Sequence, residues 1–171
     1  QSETVVSEMT DIFCLLISPA GGDELQGVKR GIMEMSDIIL INKSDGKLES
    51  IAKQTSAQYK SALSLFNQRK YDPTNFPKVL TISSLTSSGI QNVWPTIEEL
   101  IAWRKQKGYF DCIRKEQKIS SFNRELHYIF QEKLSQSKDI VNEIELLKNQ
   151  ILTGTISPEL AATNLIRKIL I

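Results

Sequence analysis

Four consecutive residues, Asn42-Lys43-Ser44-Asp45, carry side chains suited to reading a purine base. They directly follow an apolar run at 38–41, and ligands of open α/β sheets bind at the carboxyl ends of strands. The Asp45 carboxylate can accept two parallel hydrogen bonds from the N1–H and amino group of guanine, whereas adenine would leave that charge unpaired. We expect Asn42 to tie the loop and contact the base edge, and the Lys43 stem to lie against the purine or ribose. A polar strand-to-helix turn is the alternative interpretation.

A second candidate loop, Ser83-Ser84-Leu85, follows the next apolar run along the chain. Small residues there allow the backbone to approach a bound base closely. A serine-rich turn without a ligand is the alternative. One strand unit after the Asn42–Asp45 segment, this loop supports guanine recognition.

A third segment, residues 19–31, combines glycines, acids and a basic pair. Its candidate functional residues are Gly22, Asp23, Glu24, Gln26 and Lys29. This composition predicts a mobile polar loop, and loops often carry function. A solvated connection between two elements is the alternative.

Three continuous apolar runs, at 11–18, 37–42 and 78–83, must position these loops. Because the runs do not alternate with polar residues, they predict strands buried on both faces of a parallel sheet. Helical patterns over 27–35, from 47 to about 68, and from Gly89 onward separate or follow the strands. Residues 1–108 are therefore expected to form an α/β domain with a parallel sheet. Three strands leave an exposed edge unless further strands come from elsewhere.

Residues 109–171 are expected to form a helical extension of about three helices. One helical face carries apolar residues at spacings of three and four: Phe122, Leu126, Ile129, Phe130 and Leu134. A second such series runs from Ile140 to Ile151, and Ser157-Pro158-Glu159 is a typical helix start. These faces are either core or a subunit interface, and the pattern does not separate the two.

Bulk composition excludes some function classes. With 171 residues and a net charge of +1, the chain gives no support to a nucleic-acid or anionic-membrane partner. The single His and two Cys have no zinc-type spacing, so no metal site is predicted. Cys14 is expected to be a reduced core thiol, and Arg104, Lys105 and Lys107 a solvated basic face. The chain starts at Gln1 without Met or a signal peptide, which we interpret as the middle of a longer protein.

Several of these motifs together resemble the ArgK/MeaB family of GTPases, the family of the methylmalonic aciduria type A protein. The resemblance lies in Gln1-Ser2-Glu3, in residues 19–27 and 30–34, and in Asn42-Lys43-Ser44-Asp45-Gly46. Trp94, Ser157-Pro158 and Ala161-Ala162 fit the same family's helical tail. The resemblance covers essentially the whole chain, and its most distinctive part is Gly21 to Gly27.

The resemblance implies a homodimer with a three-layer Rossmann-like P-loop GTPase core and a C-terminal helical dimerisation arm. It implies binding of GTP or GDP with Mg²⁺, and a chaperone role for adenosylcobalamin-dependent methylmalonyl-CoA mutase, in which GTP gates cobalamin loading and protection. Ser83, Ser84 and Leu85 would occupy the loop whose backbone N–H meets the guanine O6. Gln1, Ser2 and Glu3 would end one switch, and residues 21–29 would form the loop that signals nucleotide state to the mutase. The compartment would be the mitochondrial matrix in a eukaryote and the cytoplasm in a bacterium.

One departure concerns the phosphates. The sequence contains no G-x-x-x-x-G-K-[ST] loop to cradle the phosphates and hold Mg²⁺. We therefore expect no catalytic residue in this chain, Mg²⁺ ligands upstream of Gln1, and GTP hydrolysis by a full-length protein but not by these 171 residues alone. Two alternatives stay open: a metallochaperone-type GTPase, and a non-catalytic α/β interaction module.

Overall fold

A parallel sheet of three short strands organises the first part of the chain in a computed structural model that describes residues 2–19 and 30–170. The strands are β1 Cys14–Ile17, β2 Ile38–Ile41 and β3 Lys78–Thr81. The helices are α1 Ser2–Met9, α2 Arg30–Met35, α3 Glu49–Leu63, α4 Val93–Gln106, α5 Tyr109–Gln136, α6 Lys138–Leu152 and α7 Pro158–Leu170. Short 3₁₀ turns at Gly46–Leu48 and Ile90–Asn92 precede α3 and α4.

Strand β2 lies between β1 and β3, and both pairings are parallel. Ile38 is in register with Cys14 on one side and with Lys78 on the other. All four β2 side chains are buried, which explains why this segment is a continuous apolar run. The predicted parallel sheet and its three strands are confirmed.

Two separate apolar clusters cover the two faces of β2. Ile39 and Ile41 pack with Tyr59 and Leu63 of α3 on one face. Ile38 and Leu40 pack with Leu100 of α4 on the other. Because alternate β2 residues enter opposite clusters, the sheet is the middle of three layers, as the fold prediction required.

Strand β1 departs from the sequence interpretation, because it is not buried on both faces. Leu16 keeps 59% of its surface exposed, and Cys14, which was expected to be a core thiol, is a free and exposed cysteine. Both residues belong to β1, which among the described strands pairs with β2 alone and is therefore an outer strand of the sheet. The apolar run therefore predicted the position of β1 correctly, but it predicted more burial of the side chains than the structure shows.

Helix α3 is shorter than the apolar stripe suggested. It ends at Leu63 rather than near Gln68, and Ser64 closes it with a hydrogen bond from Oγ to the carbonyl of Ser61 at 2.7 Å. Phe66 continues the stripe in sequence and still packs on the same cluster as Leu63, but from the turn that follows. Pro95 lies in the first turn of α4, as predicted.

An ion cluster lies before β2 and corrects one expectation. Arg104 of α4 was placed on a solvated basic face, but it is only 5% exposed. Its Nη2 contacts Asp37 Oδ1 and Asp72 Oδ1, both at 2.6 Å, and Arg69 binds the same two carboxylates. Burial opposes the charge of Arg104, but the two carboxylates raise its pKa above the usual value. Arg104 is therefore a buried connection between α4, β2 and the loop before β3.

The chain divides into two units, residues 1–120 and 121–171. The described part of the second unit consists of helices joined by short turns, and α6 and α7 pack on each other. Ser157 accepts a hydrogen bond from Leu160 N at 3.2 Å, so the predicted cap of α7 is present. Lys168 of α7 contacts Glu143 of α6 at 2.7 Å beside the apolar side chains Ile140, Leu165 and Ile169. The boundary proposed from sequence, 1–108 and 109–171, stays a prediction.

Candidate functional site

The loops that follow β2 and β3 meet at the carboxyl end of the sheet. Hydrogen bonds of the sheet continue past the strands, since Ile82 N donates to Ile41 O at 2.8 Å and Ser44 N donates to Ile82 O at 3.0 Å. On the other side, Asn42 N donates to Ile17 O at 2.7 Å. The backbone thus places the Asn42–Asp45 segment beside the serine-rich loop, at the edge where ligands of α/β sheets bind.

Asp45 is held by a hydroxyl from the neighbouring loop. Ser83 Oγ donates to Asp45 Oδ1 at 2.5 Å, and the Ser83 side chain is itself fully buried. The Asp45 carboxylate makes no capping bond to the turn that it precedes, and Oδ2 accepts no hydrogen bond within the described residues. One oxygen is therefore fixed, and the other retains its capacity to accept donors from a ligand.

Asn42 joins the same two loops through its side-chain oxygen. Oδ1 accepts hydrogen bonds from Lys43 N at 2.8 Å and from both N and Oγ of Ser84 at 3.0 Å. A single acceptor thus fixes the residue after Asn42 and the start of the serine-rich loop. This leaves the Asn42 amide group, a donor, for other contacts.

Lys43 has an unusual backbone conformation. Its φ of +56° lies in the left-handed region, which costs a residue with a Cβ on the order of 1 kcal/mol or more. The bend lets the chain turn from β2 while Asn42 binds the Lys43 amide. The side chain is exposed, so its aliphatic stem is accessible to a ligand.

The backbone amides of the serine-rich loop are not equivalent. Ser83 N donates to Ser88 O at 2.8 Å, and Ser84 N donates to Asn42 at 3.0 Å. Leu85 N has no acceptor in the described part of the chain, and the Leu85 side chain is 84% exposed. Of the three amides, Leu85 N is the one left to a ligand.

All six residues predicted to bind guanine lie at this edge, namely Asn42, Lys43, Asp45, Ser83, Ser84 and Leu85. Their contact with a base stays a prediction. Most of the predicted switch residues lie outside the described residues: Gln1, Gly22, Asp23, Glu24, Gln26 and Lys29. Ser2 and Glu3 begin α1, and nothing is assigned to their side chains.

Two features of the site were missed in the sequence. One is the Ser83 hydroxyl, which the serine-rich loop was expected to offer only as backbone. The other is Gly89, which has φ +75° and lies against Thr81 and Ile82. A glycine a few residues after a strand was a signal for such an approach, but the sequence was interpreted only as a helix start.

No group of three or more His, Cys, Asp or Glu side chains that could hold a metal ion occurs in residues 2–19 and 30–170. We assign none of these residues to Mg²⁺. In the same two stretches, none of the helices is long and apolar enough to span a membrane.

A family profile and two relatives agree on the family of this chain. A family profile described as methylmalonyl Co-A mutase-associated GTPase MeaB matches residues 1–139. The methylmalonic aciduria type A homolog of Mus musculus, a mitochondrial protein by name, is 39% identical over 168 residues, which cover 98% of this chain and 40% of that protein. The GTPase ArgK of Escherichia coli is 40% identical over 119 residues, 70% of this chain and 35% of that protein.

A solved structure agrees with the sequence relatives. The crystal structure of a LAO/AO transport system kinase matches with a TM-score of 0.83 and 26% identity, over 99% of this chain and 54% of that one. The chain spans about 40% of the length of the mouse relative. The profile and the relatives together identify the family: the chain belongs to the MeaB family of methylmalonyl Co-A mutase-associated GTPases.

Proposed function

We propose that this chain is the guanine-recognising part of a GTPase that serves adenosylcobalamin-dependent methylmalonyl-CoA mutase. The observation that carries the proposal is the pair of loops at the carboxyl end of the sheet. Asp45, held by Ser83, presents one carboxylate oxygen without a partner in the described part of the chain, and Asn42 joins the two loops. Such a prearranged acceptor suits the paired donors of guanine.

The residues divide the work of base selection. Asp45 accepts hydrogen bonds from N1–H and the 2-amino group, and Leu85 N is available to the guanine O6. The Lys43 stem covers one face of the base or the ribose. Asn42 positions the other groups and leaves its amide for the base edge. Because covering a carboxylate with a base that donates nothing to it is costly, adenine is rejected by the same Asp45 that favours guanine.

Phosphate chemistry belongs to the whole protein rather than to these residues. The sequence carries no phosphate-binding loop, so we assign binding of GTP to both this chain and further residues, and hydrolysis to the full-length protein. Mg²⁺ would neutralise phosphate charge there. Residues 21–29 and the start of α1 are proposed as the segments that report nucleotide state to the mutase.

The partners and location follow from the family. We propose that GTP gates cobalamin loading and protection in the mutase, and that the protein is a homodimer through its C-terminal helices. The named mitochondrial and bacterial relatives support a mitochondrial matrix protein in a eukaryote and a cytoplasmic one in a bacterium.

The proposal is tested by Asp45→Asn in the full-length protein, with GDP and xanthosine diphosphate as ligands. An amide in place of the carboxylate mismatches the guanine donors but matches the extra carbonyl of xanthine. Loss of the charged hydrogen bonds is expected to weaken GDP binding about 100-fold. The new match to xanthine is expected to strengthen binding of xanthosine diphosphate.

Asp111→Asn, a like change at an exposed position of α5, is the control and is expected to leave both affinities as they are. Isothermal titration gives the two dissociation constants. An unchanged ratio of GDP to xanthosine diphosphate affinity in the Asp45 variant would leave the chain as a non-catalytic interaction module.

A further inference from the structure

The loop after β3 closes on itself around one side chain. Ser83 N donates to Ser88 O at 2.8 Å, and Thr86 N donates to Ser83 Oγ at 3.1 Å. The same Ser83 hydroxyl then donates to Asp45 Oδ1 at 2.5 Å. A displacement of this closed loop therefore moves the group that orients Asp45.

Gly89 is the residue at which the closed loop returns to the strand. Its φ of +75° lies in the left-handed region that favours glycine. A Cβ at this position would overlap the carbonyl oxygen of Thr81, the last residue of β3, and would lie 3.3 Å from Ile82 Cα. Both are backbone atoms, so they cannot rotate away from an added side chain.

We infer that Gly89 is a positioning residue for guanine selection, an inference that rests on the proposed function. Any side chain at 89 pushes residues 83–88 away from the end of β3. The Ser83 hydroxyl then leaves Asp45, and Ser84 leaves Asn42. Gly89 thus controls the orientation of the base-reading carboxylate through the loop, without contacting the base itself.

The chain provides a matched control in Gly108, between α4 and α5. Its φ is +73°, nearly that of Gly89, but a Cβ added there would meet nothing within 4 Å. Gly108→Ala therefore carries the same backbone strain without the overlap. The difference between Gly89→Ala and Gly108→Ala isolates the close approach to β3.

The test measures GDP and inosine diphosphate affinities of the full-length protein by titration. Inosine lacks the 2-amino group, so the ratio of the two affinities reports the contact with Asp45. Gly89→Ala is expected to weaken GDP binding about tenfold, as loss of an oriented hydrogen bond does. It should also bring the ratio of GDP affinity to inosine diphosphate affinity closer to one. Ser83→Ala, which removes the hydroxyl without an overlap, is expected to narrow the ratio as well. Gly108→Ala keeps both values even where its thermal midpoint falls.

Several results would overturn the inference. One is a Gly89→Ala protein with the wild-type ratio of GDP to inosine diphosphate affinity. Another is a Gly89→Ala protein that does not fold, which would show that Gly89 is needed for folding and not for positioning the loop. A Ser83→Ala protein with the wild-type ratio would also exclude the route through the hydroxyl. Asp45→Asn is measured in parallel: if it fails to alter base preference, the proposed function fails, whereas a normal Asp45→Asn response with an inert Gly89→Ala rejects only the role of Gly89.

Discussion

At the scale of single residues, the Asp45 carboxylate gives its two oxygens different tasks. Oδ1 is fixed by the Ser83 hydroxyl at 2.5 Å, and Oδ2 is left without a donor among the described residues. Fixing one oxygen removes rotational freedom of the side chain before a ligand arrives, which lowers the entropic cost of binding. The arrangement favours selectivity, because a ligand without matching donors gains nothing from the prepared acceptor.

A second residue-scale pair gives a pH prediction. Arg114 of α5 donates two hydrogen bonds to the Asp11 carboxylate, at 2.6 and 2.8 Å. Through these bonds Arg114 holds the pKa of Asp11 below its ordinary value of 3.8. Because the folded pKa is lower than the unfolded one, the pair contributes stability above about pH 3.8, and that contribution is lost as the pH falls through the folded pKa.

We therefore expect Asp11→Asn to lower the thermal midpoint at pH 7 and to approach the wild-type midpoint in acid. Arg114→Gln should give a similar loss at pH 7, and the double variant should lose little more than either single one. High salt should shrink all three losses, because the pair is partly exposed. A difference between Asp11→Asn and wild type that stays constant from pH 7 into acid would contradict this account.

The residues of the base-reading site were predictable only in part. Asn42 and Asp45 stand out because their types and spacing match a purine and follow a strand. The hydroxyl of Ser83 and the missing Cβ of Gly89 matter through contacts with Asp45 and Thr81, which depend on how the loop closes. Such contacts between distant positions leave no periodic signal in one sequence.

At the scale of elements, the ion cluster before β2 connects four segments. Arg104 of α4 contacts Asp37 and Asp72, and its Nη1 also donates to the carbonyl of Asp11 at 2.9 Å. Phe13 N donates to the other oxygen of Asp37 at 2.7 Å, which extends the cluster to the start of β1. The opposite charges and hydrogen bonds together offset the desolvation of Arg104, Asp37 and Asp72, which are at most 5% exposed.

Arg104→Met is expected to destabilise the protein by about 3 kcal/mol or more, since among the described residues it leaves two buried carboxylates with Arg69 as their one cationic partner. Lys105→Met, at the exposed position beside it, is the matched control and should change stability by less than about 0.5 kcal/mol. Urea unfolding followed by circular dichroism measures both. A loss for Arg104→Met as small as that of the control would show that the cluster adds nothing to stability.

Elements were easier to predict than their ends and their burial. The apolar runs located all three strands, because a buried parallel strand needs side chains that are apolar on both faces. They did not distinguish the central β2 from the outer β1, where Leu16 is exposed. Arg104 was assigned to solvent because its sequence neighbours are basic, whereas its acidic partners lie 32 and 67 residues away.

At the scale of the whole molecule, the second unit presents apolar surface that its own residues leave exposed. Along α5, Phe122 is 64% exposed, Leu126 54% and Ile129 45%, at spacings of four and three residues. Large apolar side chains in a row on one helix are typical of an interaction surface. The sequence pattern did not decide whether this apolar face belongs to the core or to a subunit interface. Its exposure in the structure favours the interface.

The proposed homodimer makes this face of α5 a direct target. Burying a side chain such as Phe or Ile contributes about 1.5–3 kcal/mol, so charges at two of these positions should abolish association. We expect Phe122→Asp/Ile129→Asp to sediment as a monomer in analytical ultracentrifugation, with the helical content of wild type. Asn123→Asp/Gln131→Asp adds the same charges at exposed polar positions of α5 and should remain dimeric. A monomeric wild-type protein, or a dimeric Phe122→Asp/Ile129→Asp variant, would show that a second copy of the chain does not bind this face of α5.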